Sequence, residues 1–120
     1  MGKAASGNAA SGNAGHAPLK PRPYMVLLLL AERPRHGYDL LAAIEERSDG
    51  AMKMNAGSFY RLIHGLAERG LVQRVEAPGD DASGGGERKT YGLTERGLET
   101  LRAEIRRQEA LLELGRRWVG

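Results

Sequence analysis

From residue 24 onward, the apolar positions change period several times, and each change marks an element. Tyr24 to Glu32 (YMVLLLLAE) is apolar almost all the way round. The leucine run with Ala and Glu favours helix, and a helix apolar on every side must be covered on every side. In a small domain that predicts one face in the core and another against a second subunit. Arg33-Pro34-Arg35 breaks the helix. His36-Gly37-Tyr38 opens the next, which runs to about Arg47 with Leu40, Leu41 and Ile44 inward and Glu45, Glu46 and Arg47 outward; Ser48-Asp49-Gly50 ends it.

The best-defined helix lies within Asn55 to Val72. Phe59, Leu62, Ile63, Leu66 and Ala67 recur at helical spacing. Asn55 is placed to cap its start, and Gly70 to take the positive φ that ends it. The period then shortens. Residues 71–76 (LVQRVE) read as a strand, 77–86 as a glycine-rich loop, and 87–93 (ERKTYGL) as a second strand, together a β-hairpin with a long tip. Thr94-Glu95-Arg96-Gly97 caps a last helix reaching about Val119. Leu98, Leu101, Ile105, Leu112 and Val119 fall at heptad positions, with Gln108 and Gly115 at the two intervening ones. At ~1.5 Å per residue this helix is roughly 36 Å long, more than so small a domain needs, so part of it is expected to pack on a second copy.

The predicted fold is therefore mainly α with a small β-hairpin: a winged helix-turn-helix over 21–93, followed by a dimerisation helix over 94–120. Residues 1–20 repeat AASGN and are small and polar, which predicts a disordered tail. The expected dimer interface joins Met25 and Val26 of the opening helix to Leu98, Leu101, Ile105, Leu112 and Trp118.

Composition narrows the function. The length of 120 residues holds one small core. There are no cysteines, which removes disulfides and thiolate metal sites and fits a reducing cytoplasm. No targeting signal is visible, and the longest apolar run, Met25 to Ala31, is far short of the ~20 residues of a membrane helix. The formal charge is +3, but Lys3 and Lys20 supply two of those charges with no acid beside them. The folded part is nearly neutral, so a nucleic-acid surface must come from placement of charge.

Such a placement is present. Opposite the apolar face of the Asn55–Val72 helix lie Ser58, Tyr60, Arg61 and His64, a face suited to the major groove of a duplex. A guanidinium contacts a guanine edge through two hydrogen bonds, which makes Arg61 the best base reader. Lys53, Asn55, His36, Tyr38, Arg88 and Lys89 are expected to hold phosphates, helped by the free N–H groups at the second helix's start. An enzyme is not expected: His36 and His64 have no adjacent carboxylate in sequence, no nucleophile or metal motif is present, and no cofactor is implied. The competing reading is a winged-helix interaction module that dimerises without binding DNA, favoured by the near-neutral body.

Three blocks of sequence resemble the PadR family of transcriptional regulators, in its short form with a single C-terminal helix. MVLLLLAERPRHGYDL (25–40) is similar to the family's opening helix, proline break and His-Gly-Tyr start. GSFYRLIHGLAERGLV (57–72) resembles its recognition helix, and RKTYGLTERG (88–97) its second wing strand and the Leu-Thr-x-x-Gly lead into the dimer helix. The resemblance spans about residues 24–107 and implies a dimeric repressor of a pseudo-palindromic operator, often released by a small effector molecule. Two departures stand out. Arg61 occupies a place where many members carry proline, and Asp80, Asp81 and Glu87 predict an acidic wing tip unsuited to deep insertion beside phosphates.

Overall fold

The computed structural model describes residues 17–78, 80 and 89–120. The chain runs α1 (Pro21–Glu32), β1 (Arg35–His36), α2 (Gly37–Arg47), α3 (Ala56–Glu68), β2 (Val72–Val75), β3 (Thr90–Leu93) and α4 (Glu95–Val119). This is the predicted winged helix: three helices, a hairpin and a long closing helix.

Two elements differ from the sequence reading. α1 begins at Pro21, three residues earlier than its apolar run, because proline at a first helical position lacks only an N–H that has no partner there. The helix does break at Arg33-Pro34, but Arg35, read as the end of that break, and His36, read as the opening of the next helix, form a strand: Arg35 pairs with Tyr91 and His36 with Thr90, giving an antiparallel sheet of order β1-β3-β2. Two residues are too few to show an alternation, so no period marked it. In the hairpin, Val72 faces Leu93 and Val75 faces Thr90.

The core gathers Val26, Leu27, Leu29 and Leu30 of α1, Leu40 and Ile44 of α2, Phe59, Ile63 and Leu66 of α3, and Leu101 of α4. Burying each of these large apolar side chains contributes roughly 1.5–3 kcal/mol. A buried cation braces the break after α1. The Arg35 guanidinium, 4% exposed, donates to the Leu29 carbonyl at 3.1 Å and to Asp39 at 2.9 Å, and also meets Glu32. Arg47 reaches the same Glu32 from α2 at 3.1 Å, and these cations, Arg47 foremost, hold the Glu32 carboxyl below its usual range. The sequence reading treated Arg35 as part of a helix break; a buried arginine between two helices carries no sequence period.

The start of α4 is fixed against the end of α3. Thr94 caps α4 by accepting from the Gly97 N–H at 2.9 Å, and its hydroxyl donates to the Gly70 carbonyl at 2.6 Å. Gly70 has φ +76°. A Cβ at Gly97 would stand 2.1 Å from the Leu71 carbonyl oxygen, so only glycine allows this approach.

The residues expected at a dimer interface differ in how the single chain covers them. Val26 and Leu101 are buried inside the single chain, at 0% and 2% exposure, because the first half of α4 packs on α1. Met25, Leu98 and Ile105 are half-buried, whereas Leu112 and Trp118 are exposed, with Leu111 and Val119 beside them.

The tail boundary also moves. Leu19 is in the core, and its N–H donates to the buried Glu104 carboxylate at 2.9 Å, so packing begins before Lys20. Residues 1–16 lie outside the described part. Burial pushes the Glu104 carboxyl up, but the Leu19 N–H, the Gln108 amide and the Arg107 guanidinium outweigh it and hold the group below its ordinary value.

Candidate nucleic-acid interface

The outward face of α3 follows from its inward one. At 3.6 residues per turn, burying Phe59, Ile63 and Leu66 turns Tyr60, Arg61 and His64 to solvent. The Asn55 side chain accepts from the Ser58 N–H at 2.8 Å, which removes an orphan donor and fixes the first turn. Asn55 is thus a cap, with its carboxamide oxygen already engaged. Arg61 Nη2 donates to Ser58 Oγ at 3.3 Å, and His64 Nε2 lies 3.5 Å from Glu68. Both contacts are exposed and weak enough to exchange for a ligand. Lys53 stands exposed just ahead of this helix.

The start of α2 differs from expectation. Tyr38 is exposed, but the Gly37 N–H donates to the Lys89 carbonyl at 3.0 Å, so that donor serves the sheet and not a phosphate. His36 Nε2 lies 3.1 Å from an Asp80 carboxylate oxygen. That carboxylate also accepts from the Thr90 hydroxyl at 2.8 Å and the Thr90 N–H at 3.3 Å, and Arg74 is 3.9 Å away. The Thr90 hydrogen bonds, with His36 and Arg74 beside them, hold the Asp80 carboxyl below its usual range.

Asp80 therefore does not decorate the wing tip. It latches the hairpin to its own base and to the start of α2. Asp81, Glu87 and the predicted phosphate ligand Arg88 lie outside the described residues, while Lys89, half-buried, immediately precedes β3. Sequence reasoning missed Arg22, and it gave Lys20 no place on this face. Both border a groove shared with Ser58 and Arg61; the proline-flanked arginine carried no helical period to reveal this. Among the described residues no group of His, Asp and Glu is placed to hold a metal ion, and no helix is long and apolar enough to cross a membrane.

A model of the transcriptional regulator PadR-like family matches residues 26–103. An uncharacterized protein of Lysinibacillus sphaericus is 29% identical over 73 residues, which covers 61% of this chain and 64% of that protein's length. A PadR-like transcription factor from Bacteroides fragilis superposes with a TM-score of 0.64 at 23% identity, covering 80% of this chain and 87% of that one. Bacillus subtilis PadR in complex with operator DNA superposes with a TM-score of 0.58 at 21% identity, over 72% of this chain and 47% of that one.

Proposed function

The chain belongs to the PadR-like family of transcriptional regulators, and on that premise we propose that it is a homodimeric, sequence-specific DNA-binding repressor acting in the cytoplasm on a pseudo-palindromic operator. One observation carries the reading: a capped helix with a buried aliphatic face presents Tyr60, Arg61 and His64 outward on a winged-helix body. The likeness in fold to a regulator in complex with operator DNA supports DNA as the partner.

In this reading α3 enters the major groove. Arg61 reads a guanine edge through two hydrogen bonds, with Ser58, Tyr60 and His64 beside it. Lys53, Tyr38, Lys89 and Arg88 hold phosphates and set the register. His36 acts at one remove, through the Asp80 latch that fixes the wing. The exposed apolar side chains of distal α4, Leu111, Leu112, Trp118 and Val119, together with Leu28 on α1, meet the same surface of a second copy. Two recognition helices related by that axis then meet successive major grooves roughly 34 Å apart.

The test is fluorescence anisotropy with a duplex from upstream of the protein's own gene, against a scrambled duplex over a salt series. The expected result is preference for the native duplex, with log K falling linearly in log salt by ~0.9 per phosphate contact. Equal, negligible binding to both duplexes supports the interaction-module reading instead.

A further inference from the structure

A groove of about 790 Å³ opens between the start of α1, the α2–α3 turn and the first turns of α3. Its floor is aliphatic, made by Pro21, Met52, Met54 and Leu62, the last three half-buried against the core. Its rim is cationic: Lys20, Arg22 and Arg61. All three are exposed; among the described residues no carboxylate lines the groove and no ion pair engages any of them.

We infer that this groove binds an amphipathic aliphatic carboxylate. The volume is that of a small-molecule site. Methionine side chains adapt to a flexible apolar chain, and three unneutralised cations draw a carboxylate into charge-assisted hydrogen bonds. Among the described residues no aromatic ring lines the groove, so they offer no face on which a flat ligand stacks. The chain's own residues 1–16 do not match: they contain no acid, and Met1 is their one large apolar side chain. A DNA phosphate matches the rim but leaves the methionine floor uncovered.

Arg61 and Ser58 line both this groove and the outward face of α3. A bound carboxylate therefore occupies the principal base reader and competes with DNA. This consequence rests on the DNA-binding reading; binding of the carboxylate does not.

The test is calorimetric titration of the full chain with sodium decanoate, with 1-decanol as the headless control. One decanoate per chain is expected, with decanol weaker by about tenfold or more, the loss of a hydrogen bond to a charged group. Lys20→Glu with Arg22→Glu should weaken decanoate by a similar factor. Acids are favoured in the first turn of a helix, so this variant should fold, and thermal unfolding checks that it does. Absence of decanoate binding, equal affinity for decanol, or undiminished binding by the folded charge-reversed variant would each overturn the inference. A tenfold gain in decanoate affinity on deleting residues 1–16 would overturn it too, by making that segment the occupant. Displacement of bound duplex by decanoate reads the competition. Duplex binding without decanoate binding defeats this inference alone, and decanoate binding without duplex binding defeats the DNA reading alone.

Discussion

Arg61 and Lys89 are both cations near the proposed duplex, but they should fail differently. Arg61→Ala should relax preference at one position per half-site, by about 1–3 kcal/mol of discrimination. Lys89→Ala should weaken all sequences alike and reduce the salt slope by about 0.9. A binding survey across an operator library separates the two, and identical profiles would refute the division of labour. Asp80 gives a prediction in pH. Its carboxyl is depressed in the folded chain, chiefly by the Thr90 hydroxyl. Its contribution is therefore present above the unfolded carboxyl value near ~3.9 and is lost as pH falls through the lower folded value. The difference in thermal stability between wild type and Asp80→Ala should be largest near neutrality and close on acidification. A difference that persists under strong acid would mean that the latch does not depend on the ionised carboxylate.

Helices with a strong period were legible in the sequence, and so were their ends. α3 was read from Phe59, Leu62, Ile63, Leu66 and Ala67 on one side and from Asn55 and Gly70 at its limits; Phe59, Ile63 and Leu66 are buried and Asn55 and Gly70 play those parts, whereas Leu62 is half-buried and Ala67 is exposed. β1 was not legible, since its identity lies in pairing with Tyr91 and Thr90 far along the chain. α4 shows a subtler failure. Its heptad pattern is real, but one repeat serves two surroundings: Leu101 faces its own core while Leu112 faces solvent. Periodicity gives the side of a helix and not which molecule covers it. The informative substitutions are thus distal. Leu112→Asp with Trp118→Asp changes residues 55% and 74% exposed in the single chain, so the fold should survive with its melting temperature nearly unchanged. Across a two-fold seam the pair introduces four carboxylates, and sedimentation should show a folded monomer with much weaker operator binding. A dimer of undiminished affinity would remove distal α4 from the interface.

At the scale of the whole molecule, two stretches far apart in the sequence meet. Leu19 sits 7% exposed in the core and its backbone is tied to Glu104 on α4, so the segment that composition marked as tail is partly structural. Leu19→Ala should lower stability by about 2 kcal/mol, seen as a fall of several degrees in melting temperature; an unchanged melting temperature would show that Leu19 contributes no packing. The small, polar residues ahead of it obscured this one leucine, and no local pattern links residue 19 to residue 104. The junction at Gly97 has a wider effect. Because α4 touches the Leu71 carbonyl there and Thr94 is bonded to Gly70, the closing helix is braced directly against the end of α3. α4, at roughly 37 Å, is then a lever braced against the proposed reading head. A tilt of a few degrees where two such levers cross would swing the heads apart by ångströms, enough to move them out of phase with the turns of the duplex. In the proposed dimer the distance between the heads would accordingly be set at the far end of the levers, and a change in how they cross would work as a gear on recognition without touching a proposed base-reading side chain.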